Sequence, residues 1–144
     1  MKNIVSALAV FSFLSFGLFG AGSYAETMAT EGWHIYEVKQ LLNYGVRNHQ
    51  GEYLGRMQDF VIDSNGRVVF AIISKPGVLG IRGEPVAVPF QILSFGSRKN
   101  ELFLDMSWEK FASAPRYDRK TDLENSAWTV NVYRYFGVQP YWTE

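Results

Sequence analysis

Two histidines, His34 and His49, are the residues of this 144-residue chain best suited to binding a transition metal. A zinc or copper site needs further ligands that converge on the same point, and the chain has no cysteine to supply a thiolate. His34 falls in a predicted leader and His49 in a predicted turn. The pattern therefore favours two solvated histidines, and we expect neither a metal nor another cofactor.

Asp59 and Asp63 are the carboxylates whose spacing could serve acid–base catalysis. On a predicted strand they share a face, but about 13 Å of extended chain separates them. That distance is too long for a retaining glycosidase pair and long even for an inverting pair. The segment Asp63-Ser64-Asn65-Gly66 has some likeness to a calcium loop, but Arg67 and Val68 follow where alternating oxygen ligands are needed. A hairpin turn is the favoured interpretation, with Asp59 accepting turn or backbone hydrogen bonds.

Patterns for nucleophilic catalysis and phosphate binding are equally weak. Serines are plentiful, but no Gly-x-Ser-x-Gly elbow occurs. The glycine-rich stretch Lys75 to Gly83, KPGVLGIRG, leads into a predicted strand rather than the helix of a phosphate-binding loop. We therefore expect a protein that is not an enzyme. An unrecognised hydrolase, or a binder of a small ligand in the mouth of a barrel, is the alternative.

The first 25 residues are typical of a secretory signal peptide. Lys2 gives a positive start, residues 4–19 are mostly apolar, and Ser23-Tyr24-Ala25 places small residues where a signal peptidase cleaves. The apolar run is shorter than the roughly 20 residues of a spanning helix, which disfavours a retained anchor. We expect an exported, soluble periplasmic protein with no stable membrane insertion after cleavage.

Charge and composition exclude several kinds of partner and cofactor. Without the signal segment, in which Lys2 is the only charged residue, the chain stays close to neutral. Nucleic acids and anionic membranes need a clustered basic surface, so neither is an expected partner. The absence of cysteine excludes disulfides and cysteine-attached haem. Stability must come from packing, which the 16% aromatic content suits.

Most predicted elements after residue 52 are strands. Tyr53 to Ile62 predicts a strand with a bend or bulge near Gly55. Asn65-Gly66 favours the hairpin turn whose twist matches paired strands, and Val68 to Ser74 predicts the best-buried strand. Two later strands are predicted at Pro85 to Phe90, which is an edge or bulge position because of its prolines, and at Glu101 to Met106. Between them, Ser94 to Asn100 predicts a polar turn.

Helices are predicted near the carboxyl end. Ser107 is a predicted cap for a short helix from Trp108 to Ala114. Thr121 and Glu124 fit a capping box, and residues 122–136 have helical spacing of aromatic and aliphatic residues. A strand over Trp128 to Val132 is the alternative. Near the other end, residues 26–35 predict a flexible leader, and Tyr36 to Leu42 fits either a short helix or an entry strand.

Three stretches follow one another in the middle of the chain: VRNHQGEYLGRMQDFVIDSNGRVVFAIIS, LGIRG and VAVPF. Together they resemble the PRC-barrel domain, a family named for the cytoplasmic barrel of a photosynthetic reaction-centre subunit. The resemblance covers residues 36–118 and rests on the order and spacing of Gly51, Gly55, Asp59, Asp63, Gly66 and Val88-Pro89-Phe90. It implies a mainly β fold, a small closed or partly open antiparallel barrel that docks onto other proteins. It implies no catalytic residue. Residues 119–144 would add an aromatic helix and tail packed on the barrel.

Two groups of residues are candidates for contact with a partner. Apolar side chains on the glycine-rich loop could plug one end of the barrel, which we favour, or face a partner. The terminal aromatics could pack as extra core, also favoured, or anchor an interface. The candidates are Val78, Leu79, Ile81, Arg82, Tyr141 and Trp142. The predicted function is a docking or scaffold module for an unknown protein partner, a second copy of this chain included; a self-assembling envelope protein is another alternative.

Overall fold

The structure, a computed structural model, describes residues 35–79, 81, 83–96, 100–120, 122–123 and 125–143. The predicted signal peptide, His34 and all but the last residue of the predicted leader lie outside these ranges. All elements named below belong to one compact unit, Tyr36–Glu144.

Strands dominate the described part of the chain. They are β1 Gly45–Arg47, β2 Tyr53–Ile62, β3 Val68–Ser74, β4 Pro85–Pro89, β5 Leu93–Phe95 and β6 Glu101–Leu104. The α-helices are α1 Val38–Leu41, α2 Trp108–Ala112 and α3 Ser126–Phe136, and two 3-10 turns span η1 Phe90–Ile92 and η2 Tyr141–Thr143. No helix among the described residues is long and apolar enough to cross a bilayer.

The six strands form one mixed sheet in the order β4-β3-β2-β1-β6-β5. The expected antiparallel arrangement holds for every neighbouring pair except β1 and β6, which run parallel from Gly45 beside Glu101 to Arg47 beside Phe103. This corrects the prediction of an antiparallel barrel. Within the described residues, hydrogen bonds do not close the sheet. Its two edge strands, β4 and β5, are instead joined directly by η1.

Strands β2 and β3 have the predicted bounds, and β3 is buried along nearly its whole length, as predicted. The turn between them differs from the prediction. Gly66 takes a positive φ of 80°, whereas Asn65 does not, because the Asp63 carboxylate binds the N–H groups of Asn65 and Arg67. The turn is therefore organised by an aspartate side chain and ends in one left-handed glycine.

Apolar side chains from five strands and from α2 fill the interior. The most deeply buried include Val46, Leu54, Ile72, Val88, Leu104 and Phe111, each at most 1% exposed. Because these side chains already fill the space that the curled sheet encloses, the fold is a packed small barrel rather than a ligand-holding shell.

One buried polar side chain, Asn48, ties the β1–β2 turn to the end of β6. Its amide nitrogen donates to the Glu52 carboxylate at 2.5 Å and to the Met106 carbonyl at 3.2 Å, and its oxygen accepts from the Glu52 N–H. Since all these groups are satisfied, the burial of Asn48 adds specificity to the turn.

Helix α3 packs on the sheet and is a helix rather than the alternative strand. It begins at Ser126, where the Asn125 side chain accepts a hydrogen bond from the Trp128 N–H, and it ends at Gly137 in the left-handed conformation. The predicted capping box at Thr121 and Glu124 lies outside the described residues, and the helix begins after it. Tyr133 is 1% exposed and its ring lies 5.3 Å from the ring of Phe70 on β3.

Candidate functional site

The two ends of the loop between β3 and β4 are held together by backbone hydrogen bonds, and we call this closed base the neck of the loop. Ser74 and Pro85 are the last paired residues of the two strands, and the Lys75 N–H continues the ladder by donating to the Glu84 carbonyl at 3.2 Å. Near the tip, the Ile81 N–H donates to the Val78 carbonyl at 3.1 Å. These bonds define the shape of the loop.

Two glycines let the neck close this tightly. A Cβ added to Gly77 would lie 1.4 Å from the Ile81 carbonyl oxygen, and one added to Gly83 would lie 2.6 Å from the Lys75 carbonyl oxygen. Any side chain at either position would push the two sides of the loop apart. The glycines are thus needed for close backbone approach.

The tip of this loop presents three apolar side chains to solvent. Val78 is 76% exposed, Leu79 is 95% exposed and Ile81 is 75% exposed. The interpretation of these residues as a plug is therefore wrong, and the physical reason is that strand side chains already occupy the interior. Arg82, predicted with them, lies outside the described residues. Leu79 also has a φ of +53°, which is unfavourable for a residue with a branched side chain.

A cleft of about 550 Å³ lies beside the tip. It is bounded by the residues after α1, by the start of β2 and by the β3–β4 loop. Its lining residues are Leu42, Asn43, Tyr53, Arg56, Met57, Gln58, Ser74, Lys75, Pro76, Gly77 and Ile81. Ile81 belongs to both the cleft and the tip, so that the two features form a continuous surface, which we call the loop–cleft surface.

Sequence reasoning missed the cleft residues Asn43, Arg56 and Lys75. The outward position of Arg56 depends on the irregularity in β2 before it, because Leu54 and Gly55 are both buried and the register with β1 shifts there. Arg56 pairs with Ser74 across β2 and β3, which brings it close to the start of the β3–β4 loop. Asn43 has a φ of +76°, and its N–H donates to the Met57 carbonyl. A turn-forming asparagine after a short helix was the available indication of this conformation.

The two aspartates considered for catalysis have separate partners. Asp59 accepts a hydrogen bond from the Phe60 N–H at 2.9 Å and pairs with Arg119 at 2.6 Å. Asp63 accepts hydrogen bonds from the Asn65 and Arg67 N–H groups of the turn and from the Tyr141 hydroxyl. The expected backbone hydrogen bond to Asp59 is therefore present, and the ion pair with Arg119 is an addition that the sequence did not indicate.

Tyr141 anchors the carboxyl-terminal segment to the β2–β3 hairpin. Its hydroxyl donates to the Asp63 carboxylate at 2.6 Å, and the Arg67 guanidinium lies 4.1 Å from its ring centre. Arg67 also pairs with Asp63 at 3.2 Å. Trp142 packs edge-on against Tyr133 and Tyr141 and is 45% exposed. Of the two terminal candidates, Tyr141 thus binds residues of its own chain, whereas nearly half of the Trp142 side chain remains exposed for contact with a partner.

These contacts shift the pKa values of both partners. The hydrogen bond from Tyr141, followed by the Arg67 N–H, lowers the pKa of Asp63 to about 2. The same bond raises the pKa of Tyr141, because ionised Asp63 favours the protonated phenol. The lowered pKa of Asp63 means that ionised Asp63 stabilises the folded protein above the unfolded pKa of about 3.9. That stabilisation disappears as the pH falls from about 4 through about 2.

Tyr141→Phe should therefore lower stability at neutral pH, and this loss should shrink as the pH falls from about 4 through about 2, because the folded wild-type carboxylate becomes protonated over that range. Urea unfolding of the two proteins across this pH range measures the difference. Tyr135→Phe is the matched control, since the Tyr135 hydroxyl donates to the Lys110 carbonyl, which does not titrate. A gap between wild type and Tyr141→Phe that stays constant with pH would contradict the assignment.

His49 lies on the surface at the β1–β2 turn. Its ring stacks on Phe103 at 5.9 Å, and its Nε2 atom lies 3.9 Å from Asp105. Among the residues that the structure describes, no three histidine, aspartate or glutamate side chains are grouped so that they could hold a metal ion. His34 is outside that part of the chain.

The sequence profile of the PRC-barrel domain matches residues 34–109, which is more than half of the chain, and the protein belongs to this family. The matched segment includes all six strands and the first residues of α2. It ends before α3 and the Tyr141 anchor. No curated protein matches the chain.

Proposed function

We propose that this protein is a non-enzymatic docking or scaffold module, exported to the periplasm, that binds another protein through its loop–cleft surface. The single observation that carries the proposal is the tip of the β3–β4 loop, where Val78, Leu79 and Ile81 are each at least 75% exposed. Grouped large apolar side chains in water are unfavourable, and such groups mark interaction sites on soluble proteins.

The closed neck strengthens this proposal. Gly77 and Gly83 permit backbone contacts that fix the loop at its base, so the base needs little ordering when the tip binds. The packed interior supports docking over the alternative of a small ligand held inside the barrel. Export is supported by the charged start, apolar run and small-residue cleavage site of residues 1–25.

A photo-crosslinking amino acid at position 79 tests the function in cells of the native host. We expect an adduct of defined mass in the periplasmic fraction, carried by a chain that begins at Glu26. Excess wild-type protein should compete for its formation, whereas excess Val78→Ser/Leu79→Ser protein should not.

Position 62 supplies the matched control for this experiment. Ile62 is also an exposed apolar residue, 57% accessible, but it lies at the opposite end of the β2–β3 pair. Equal crosslinking from positions 62 and 79, or none from position 79, would contradict docking through the loop tip.

A further inference from the structure

Arg56 lacks the carboxylate partner that four other arginines of the described structure have. Arg47, Arg67, Arg116 and Arg119 form ion pairs with Glu101, Asp63, Glu84 and Asp59, respectively. Arg56 is exposed and has no carboxylate partner within the described residues. It lines the cleft beside the loop tip. Its guanidinium is therefore free to bind an anionic group that enters the cleft.

Lys75 also lines the cleft, but its ammonium group is bound at the end of α2, whose residues do not line the cleft. Its ammonium group donates to the Ala112 carbonyl at 2.6 Å, which holds the side chain in position at the end of α2 but leaves its charge without a counterion there. The lining of the cleft includes no aspartate or glutamate among the described residues. An acidic group on a ligand would therefore complement the charge of the cleft.

The rest of the lining is mixed: Asn43, Gln58 and Ser74 are polar, and other residues suit apolar groups. Leu42, Pro76 and Ile81 are apolar, and Tyr53 presents an aromatic ring. Because Ile81 continues into the exposed tip, an occupant of the cleft can also cover Val78 and Leu79. A free small acid could fill the cleft of about 550 Å³ but would leave the tip in water. A protein segment can cover both.

We infer that the cleft binds a segment of a partner protein in which an aspartate or glutamate lies next to large apolar residues. The carboxylate pairs with Arg56, and the apolar side chains cover Ile81 and the loop tip. This inference rests on the proposed docking function and adds the chemical class of the partner. Charge pairing at the cleft contributes selectivity, and apolar contact at the tip supplies most of the buried area.

A random-peptide phage library selected on the purified full chain tests the inference. We expect the enriched peptides to carry Asp or Glu beside Leu, Ile, Phe or Trp. The tightest peptide, made with a fluorescent label, should lose about tenfold in affinity when its acid is changed to the amide or when the protein carries Arg56→Glu. A lysine in place of the peptide acid should restore binding to Arg56→Glu.

Arg134→Glu is the matched control, because it makes the same charge change on the exposed face of α3 and outside the cleft. It should bind the acidic peptide like wild type. Arg56 is exposed, so its variant should keep the wild-type circular dichroism spectrum, and this check separates lost binding from lost folding.

The outcomes distinguish the two proposals. In one outcome, the enriched peptides lack acids and bind Arg56→Glu normally, but they fail to bind Val78→Ser/Leu79→Ser. The acidic segment is then ruled out, and docking through the tip stands. If no peptide prefers wild type over the tip variant, both proposals fail. Loss of binding in Arg134→Glu equal to that in Arg56→Glu would also overturn the inference, since the effect would then be one of net charge.

Discussion

Tyr133→Ala should destabilise the protein by about 3–5 kcal/mol, the range for removing a buried aromatic ring. Tyr133 is 1% exposed and packs between Phe70 of β3 and Trp142 of the terminal segment. Burial also raises the pKa of its hydroxyl to about 12, which indicates how strongly its surroundings exclude charge. Removing the ring would leave a cavity where α3, the sheet and the tail meet.

Urea unfolding followed by circular dichroism measures this loss. Tyr133→Phe keeps the ring and should retain most of the stability. Arg134→Ala, one residue further along α3 and exposed, should change the unfolding free energy by no more than about 0.5 kcal/mol. A loss below about 1 kcal/mol in Tyr133→Ala would show that α3 contributes little to the folded state.

Gly55→Ala should cost about 3 kcal/mol, although it adds a single methyl group. A Cβ at position 55 would lie 2.3 Å from the Ser74 carbonyl oxygen and 2.9 Å from a methyl carbon of Ile73. The first atom belongs to the backbone of β3, so the clash can be relieved only by moving β2 and β3 apart. This movement would also separate Arg56 from the loop side of the cleft.

Gly45→Ala on the neighbouring strand β1 is a close control. There the added Cβ would lie 3.4 Å from the Tyr53 ring, an ordinary contact distance. We expect its unfolding free energy to stay within about 0.5 kcal/mol of wild type. Similar losses from both substitutions would contradict the contact with Ser74 as the reason for glycine at position 55, because strand propensity alone does not favour glycine over alanine.

The strands with strong local patterns were predictable from the sequence. Val68–Ser74 is rich in β-branched residues and Asn65-Gly66 favours a hairpin, and these features correctly predict the pairing of β2 with β3. The edge position of β4 also followed from Pro85 and Pro89, which cannot donate to a neighbouring strand. These predictions depend on neighbouring residues alone.

The shortest strands were not predictable in this way. Strands β1 and β5 have three residues each, too few for alternation to be distinguished from a turn. Ser94 and Phe95 belong to β5 although the segment from Ser94 to Asn100 was predicted as a turn. The parallel pairing of β1 with β6 joins residues that are distant in the sequence, and no local pattern encodes it.

The candidate site was predictable only in part. Composition identified Val78, Leu79 and Ile81 as residues that must either plug the barrel or face outward, but the choice depends on whether the interior has room. The free charge of Arg56 among the described residues is likewise a property of the assembled structure, because Arg47, Arg116 and Arg119 find their carboxylates across strands and loops.

The parallel contact between β1 and β6 constrains how the molecule is made. Gly45 lies beside Glu101, so β1 has a partner on only one side until the chain as far as Leu104 has entered the compartment in which it folds. The hairpins of β2, β3 and β4 can form early, since their contacts are local. Completion of the sheet must wait for this late and distant partner, and the arrival of β6 thereby sets the earliest moment at which the finished fold can exist.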